Sequence, residues 1–531
     1  MATDYARVPM QPRRGREREM VSCVALSDET PTEHTKLLSS SVSHSTQSRA
    51  LLMAQLGQVV GWYELRPLLG LALPLVLSST LDHVSAVVPV MMMGHLSANT
   101  SKEYISAIAM GMTFLLLTAW TVVWGTGSAM DTLCSQSFGA GQATDLGLVF
   151  QAGWLAGNLL LAPTMVLGIF CKDILLLFGQ TDDVATLASH LVLIMLPILP
   201  VALFYDLLRR VLQSQNIVTP LMGVSCVSVV ATIAINYVLM FHTPLGYLGR
   251  AVAVVIMALL APLLLWPYLV QSNVYRQEWK GWDLHAAWTL VPEVLHLGIS
   301  GAAMQGFELW GISIASIVAA FGRVGMLPNA EVAISADVCM HGFRGFFHML
   351  YGPVAVAGSV RVGNALGAND PQRARTAAWQ CIGMCGLLGM VAAICMVSFR
   401  HSFPYAYTPD DNIVTLTAQL LLVCAPFQTA VAIYVGIMGV FRGSGQQTRG
   451  AIVNGVANLL IGLPLGLMLA NMVADGIVGL WLGISVAFLI CAVYGIVWLM
   501  QVDWEGLAND AHVRTQDTHH AGQDDSVVAL P

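Results

Sequence analysis

Twelve apolar stretches of about 20 residues or more follow one another along this chain, each long enough to cross a bilayer as a helix. They lie near 67–93, 104–128, 147–170, 187–208, 219–241, 248–271, 294–319, 332–357, 376–398, 414–438, 450–471 and 475–500. No other feature narrows the fold as far. Inside lipid, backbone amides and carbonyls find no water, so only helices or a closed barrel satisfy them. Runs that stay apolar without alternation select helices. The composition agrees: 56% of the 531 residues are hydrophobic and 10% are charged, where a soluble domain carries about 25% charged. The expected fold class is an all-α membrane protein of twelve transmembrane helices.

The spans form two sets of six. The stretch SVRVGNALGAND at 359–370 follows an apolar run and closes with Gly367, Ala368, Asn369 and Asp370, just before Pro371. A weaker copy, MDTLCSQSFGAG, occupies 130–141. Gly139 and Gly367 stand 228 positions apart (367 − 139), Thr219 and Thr448 stand 229 apart, and Gly246 and Gly249 match Gly476 and Gly479 at 230. Six helices is an even number, so both lobes keep one orientation, related by a pseudo-two-fold axis along the membrane normal. The domain plan has a disordered cytoplasmic N-terminal tail (1–60), a first lobe (61–272), a cytoplasmic linker (273–292), a second lobe (293–501) and a cytoplasmic C-terminal tail (502–531). The first 60 residues, with SSSVSHSTQS at 39–48, lack the apolar content to bury a core.

Basic residues set the orientation. Eighteen lysines and arginines fall on the side of both tails, against Lys102, Lys172, Arg250, Arg323 and Arg400 on the other, with Arg344 inside a span. The excess places both termini in the cytoplasm. It also puts the glycosylation pattern Asn99-Thr100-Ser101 in the first outer loop. The basic residues are dispersed between apolar segments, so no nucleic-acid footprint exists. Ten cysteines without a CxxC pair give neither a zinc site nor a disulfide framework.

The stretches SVRVGNALGA, FRGSGQQTRGAIVN (441–454) and IGLPLG (461–466), with GHL at 94–96 and ILLLFGQTDDV at 174–184, have a familiar order and spacing. Together they resemble the eukaryotic branch of the multidrug and toxic compound extrusion (MATE) family across roughly residues 64–510. The resemblance implies an antiporter of two six-helix lobes around a central cleft. It would expel organic cations or metabolites in exchange for protons, in preference to sodium. It would hydrolyse no nucleotide, use no cofactor or metal, and act as a monomer in the plasma membrane or a vacuolar or endosomal membrane.

An ionisable group at membrane depth is costly and faces a bundle interior or a wet cavity. Glu308 is the clearest case, mid-span in GAAMQGFELWGISIASIV. The family carries a glutamate here in an E-W-W-like context, which Glu308, Leu309 and Trp310 match with one substitution. Desolvation favours the neutral form of a carboxylate, so such a group can load and release a proton, and its ionised form attracts a cation. The plainer reading is a carboxylate paired with a distant helix. Asp337, His341, Arg344 and His348 are spaced 4, 3 and 4 and share one helical stripe. They form either a proton relay or an Asp337–Arg344 pair that locks the helix. Arg344 opposes cation binding unless it is paired. The family's acidic residue midway along this helix falls near His341 or Gly342, its acidic residue in span ten falls at Val431 near Gln428, and the aspartate that bacterial relatives use in span one falls at Pro89. Asp82 lies higher in that first span and is a local candidate.

Other residues carry two readings. Trp120 and Tyr205 would stack on an aromatic cation or sit in the core. Asn236 would line a cavity or brace the first lobe. Asp131, Gln136, Arg361 and Asn364 would cap or brace the turns at the ends of their own spans. Pro74, Pro197, Pro200 and Pro426 would bend helices for opening or hold fixed kinks. Two rival functions remain: a flippase of lipid-linked substrates, which needs a basic cleft, and an intramembrane enzyme, for which no nucleophile or metal set is complete.

Overall fold

The computed structural model describes residues 62–93, 101–272, 279–321, 330–472 and 476–522. Among the described residues every regular element is helical. Among the described residues, ten helices are long and apolar enough to cross a membrane: α1 (Tyr63–Pro89), α2 (Ser106–Gly139), α3 (Ala143–Ile169), α4 (Asp182–Ser214), α5 (Thr219–Phe241), α6 (Gly246–Gln271), α9 (Pro371–Phe399), α10 (Asp411–Ser444), α11 (Gln447–Met472) and α12 (Gly476–Gln501). Two further helices of 38 residues each, α7 (Leu284–Phe321) and α8 (Ala330–Gly367), occupy the seventh and eighth spans. Pro197 lies in a 3-10 turn, Leu196–Ile198, that interrupts α4, whereas Pro74 and Pro426 sit inside continuous helix. The sequence segment 1–60 and Asn99 lie outside the described residues.

The packing follows two-fold logic. In the first lobe α1 packs on α5, and α2 on α3 and α4; in the second α7 packs on α11, and α8 on α9 and α10. Across the lobes α1 lies against α8 and α2 against α7. A rotation that exchanges α1 with α7 and α2 with α8 carries one of these cross-lobe contacts onto the other.

The helix ends repeat the same geometry. After α2 the amide of Gln142 donates to the Ser137 carbonyl at 2.9 Å, and after α8 the amide of Asp370 donates to the Ala365 carbonyl at 2.9 Å. Gly141 and Asn369 hold left-handed φ values of +78° and +54°. Both ends are six-to-one closures that satisfy the last carbonyls of a helix, and every participant is shifted by 228 positions. The ends also meet. A Cβ on Gly139 would stand 2.2 Å from the Asn364 carbonyl oxygen, and one on Gly367 would stand 2.0 Å from that of Gln136. Two backbones this close tolerate only glycine.

A polar latch surrounds this crossing. Gln136 donates to the Gly443 carbonyl at 3.1 Å, and Asn364 donates to the Ser214 carbonyl at 3.2 Å, so each amide clasps the opposite lobe. Glu64 of α1 accepts from Arg361 of α8 at 2.6 and 2.9 Å and also pairs with Arg373 of α9. Gln136, Arg361 and Asn364, which the sequence assigned to their own turns, thus reach across the lobe boundary. Within the segment expected as a C-terminal tail, α13 (Trp504–Ala521) buries Trp504, Leu507, Ala508, Ala511 and Thr515 on one face. Its Arg514 donates to Gln136 at 2.7 Å and pairs with Glu293 of α7 at 2.9 Å. Trp279 and Trp282, within the segment expected as the linker, pack edge-on or tilted against Phe150 and Trp154 of α3.

Two substitutions test this joint. Gly367→Ala should lower stability by about 1–3 kcal/mol through overpacking, read as a fall in the thermal unfolding midpoint of purified protein. Gly383→Ala, with open space around its Cβ position, is the control and should leave the midpoint in place. Glu64→Gln strands the buried Arg361 and the half-buried Arg373 and should cost about 3–5 kcal/mol in the same assay; an unchanged midpoint would show that the latch contributes nothing.

Candidate functional site

Proton exchange in a membrane bundle needs a titratable group with access to water. A cavity of about 290 Å³ between α3, α4 and α6 has no such group among the described residues that line it: they are apolar and aromatic apart from Gln215. A second cavity of about 270 Å³ lies between the lobes and is lined from α1, α2, α4, α7, α8 and α10. Among the described residues lining it, Glu308 is the sole carboxylate.

Glu308 is half-buried on α7 and its carboxylate is held from the second lobe. The fully buried Tyr434 of α10 donates its hydroxyl to Glu308 Oε2 at 2.8 Å. Asn454 of α11, also fully buried, donates to the Tyr434 oxygen at 2.7 Å and to the Met304 carbonyl at 2.7 Å. The chain Asn454–Tyr434–Glu308 fixes the carboxylate's position while one side faces the cavity. Tyr434 and Asn454 carry no charge, so sequence reasoning passed over them. A signal existed: Tyr434 stands 229 positions after Tyr205 (434 − 205), the offset of the repeat.

The remaining candidates separate into three places. His348 lines the cavity with Glu308, its ring 5.5 Å from that of Tyr351. Its three stripe partners turn to α12. Asp337 accepts from the Trp481 indole at 2.8 Å, and His341 packs on that same indole at 5.1 Å and bonds the Asp337 carbonyl at 3.0 Å. Arg344 lies over the rings of Trp481 and Phe488 at 5.3 and 4.9 Å. A guanidinium over aromatic faces is stabilised by their quadrupoles, so Arg344 has a rationale other than an Asp337 pair.

Asp82 lies in the first lobe, 3.8 Å from Arg209. Arg209 pairs with Asp206 at 2.7 Å, Asp206 with Arg210 at 3.4 Å, Arg210 with Asp131 at 2.7 Å and Asp131 with Arg442 at 3.8 Å. This ladder of alternating charge runs from α1 through α4 and α2 to α10 of the other lobe. Its last two arginines, Arg210 and Arg442, line the cavity, a contribution the sequence did not reveal. Asp131, assigned from sequence to its own turn, therefore joins the lobes.

The aromatic and amide candidates take other positions. Trp120 belongs to the first-lobe core and packs 6.4 Å from Trp124, which does line the cavity. Tyr205 packs beside the small cluster of Leu212, Leu221, Val224 and Leu265. Asn236 is fully buried and donates to the Thr232 carbonyl of its own helix at 2.7 Å. Gln428 donates to the Tyr351 hydroxyl at 3.4 Å. Trp310 donates to the Leu117 carbonyl of α2 at 3.3 Å, tying α7 to the first lobe. None of these five is among the residues lining the Glu308 cavity.

Comparison with known proteins agrees with this architecture. The MatE family model matches residues 74–238 and 310–468, one segment in each lobe. Multidrug and toxin extrusion protein 1 of Xenopus tropicalis is 31% identical over 459 residues, covering 86% of this chain and 77% of that protein. The human protein of the same name is 30% identical, with 85% and 77% covered. The crystal structure of the eukaryotic MATE transporter AtDTX14 superposes with a TM-score of 0.78 at 28% identity, covering 85% of this chain and 99% of that one. The matched segments, the paired lobes and the cavity between them lead to one assignment: this chain belongs to the multidrug and toxic compound extrusion family.

Proposed function

We propose that the chain exports organic cations in exchange for protons, by alternating access between its two lobes. The observation that carries this reading is Glu308, the one carboxylate among the described residues lining a cavity that both lobes share. An ionised Glu308 attracts a cation; a protonated one releases it. Competition of proton and substrate for one group is sufficient to couple their movements.

In this reading the face of Gly139 and Gly367 is cytoplasmic, and the lobes are those bounded at 61–272 and 293–501. A proton arriving from outside neutralises Glu308 and frees the substrate. The latch then opens and the lobes rock inward, where proton loss restores the anion. Tyr434 is the positioning residue: its hydroxyl stabilises the carboxylate in the geometry that meets the cation. His348, on the same cavity, is a second proton acceptor, whereas Asp337 and His341 pack on Trp481 of α12. The membrane is the plasma membrane or a vacuolar or endosomal one, and the chain is no enzyme.

Proteoliposomes with an imposed pH gradient and a fluorescent organic cation test the proposal. Transport should follow the gradient, and Glu308→Gln should reduce it to the level of protein-free vesicles. Transport indifferent to the gradient, or a variant with full exchange, would overturn it. Tyr434→Phe removes a hydrogen bond to a charged group, a contribution of about 1.5–3 kcal/mol, and should weaken cation binding at least about ten-fold. Binding at wild-type affinity would remove Tyr434 from the site.

A further inference from the structure

The helix α13, past the last span, is held by two different kinds of anchor. Its first half is fixed to the second lobe. Val502 and Asp503 alone separate α12 from α13; the Val502 amide donates to the Trp498 carbonyl at 2.8 Å, and Asp503 caps α13 by accepting from the Glu505 amide at 3.1 Å. Trp504, Leu507, Ala508 and Ala511 then enter the core cluster of the second lobe. Its second half lies on the first lobe. His519 Nδ1 pairs with Oδ2 of the buried Asp145, at the start of α3, at 2.8 Å, and Ala521 packs on the core cluster of the first lobe. Between the halves Arg514 spans the boundary, donating to Gln136 of α2 at 2.7 Å and pairing with Glu293 of α7 at 2.9 Å. One helix of 18 residues, about 27 Å long, thus crosses the joint of the two lobes.

These anchors do not give way alike. Apolar side chains drawn out of a core lose the whole free energy of their burial. A hydrogen bond opened to water is exchanged for one with the solvent, so its net cost is small. Gln136 and Asp145 flank Gly139 in sequence, and Gly139 meets the Asn364 backbone where the helix ends cross. Separation of the lobes at that crossing therefore breaks the polar contacts of α13 to the first lobe and leaves the helix seated on the second.

We propose that α13 is a strap carried by the second lobe, clipped to the first lobe through His519 and Arg514 while the Gly139–Gly367 face is shut, and released when that face opens. Its clips stabilise the shut state and not the open one, so they set the ratio of the two. The residues of the polar latch belong to the helices that build the lobes, whereas the strap is loosened without touching the cavity. This inference rests on alternating access between the lobes, and it deepens that reading by naming the segment that governs the balance.

The test uses the full chain in vesicles that present the α13 face to a membrane-impermeant thiol reagent. Val356→Cys, in the cavity wall, is the reporter, and its modification is read by mass spectrometry. His519→Ala removes one clip and leaves the second-lobe anchor intact, so the modification rate should rise at least about three-fold. Asp145→Asn weakens the same clip from the other lobe and should act in the same direction. In a separate chain, Asp145→Cys with His519→Cys is bridged by a short bis-methanethiosulfonate. Bridging should cut organic-cation transport at least about ten-fold, and dithiothreitol should restore it; the unsubstituted chain treated alike controls for the native cysteines. An unchanged modification rate in both clip variants, or a bridged protein that transports as well as its reduced form, would overturn the proposal. The modification assay needs neither gradient nor substrate, so a failure of proton coupling leaves its result interpretable.

Discussion

Charge inside a membrane bundle must find a partner, and here the partners lie across the lobe boundary. Asp131 belongs to the first lobe, binds Arg210 beside it, and stands within 3.8 Å of Arg442 of the second lobe. Glu64 binds Arg361 and Arg373 from the other lobe. Removing one member of such a pair leaves an uncompensated buried charge. The lobes are thus held together on the face where their helix ends cross. Opening that face requires these pairs, and the amide clasps of Gln136 and Asn364, to separate together.

The backbone obeys the two-fold closely, while the chemistry does not. The Gly139 and Gly367 ends repeat their hydrogen bonds residue for residue, as do the ends of α4 and α10. At the offset of 229, Tyr205 corresponds to Tyr434 and Gln213 to Arg442. Tyr434 holds a glutamate lining the shared cavity, whereas Tyr205 packs beside an apolar cluster. A duplicated scaffold therefore carries different charge in each half. Among the described residues that line the shared cavity, Glu308 and Arg442 come from the second lobe and Arg210 from the first.

Glu308 was legible in the sequence because a lone carboxylate in the apolar span 294–319 has few physical explanations. The α8 stripe was legible as a stripe, since 4, 3 and 4 spacing fixes angle around a helix. Where each member pointed was not. Trp481 captures Asp337 and His341, Phe488 and Trp481 take Arg344, and His348 alone joins Glu308. Tyr434 and Asn454 escaped notice because an uncharged polar side chain in an apolar span is compatible with any interior position. Arg210 and Arg442 escaped because they lie near helix ends, where a basic residue ordinarily reports orientation rather than a site.

Hydropathy and the internal offset of about 228 determined the number of helices and their two sets of six, while short motifs carried the family resemblance. Both are local properties: lipid forces each apolar span into a helix by itself, and a repeat is visible without knowing what it packs against. The tertiary structure decided which charges meet. Helices distant in sequence, by 126 positions or more, bring Glu64 to Arg361, Asp131 to Arg442 and Tyr434 to Glu308. Such pairings depend on helix rotation and depth, which local composition does not encode, and they decide that one carboxylate and two arginines share a cavity.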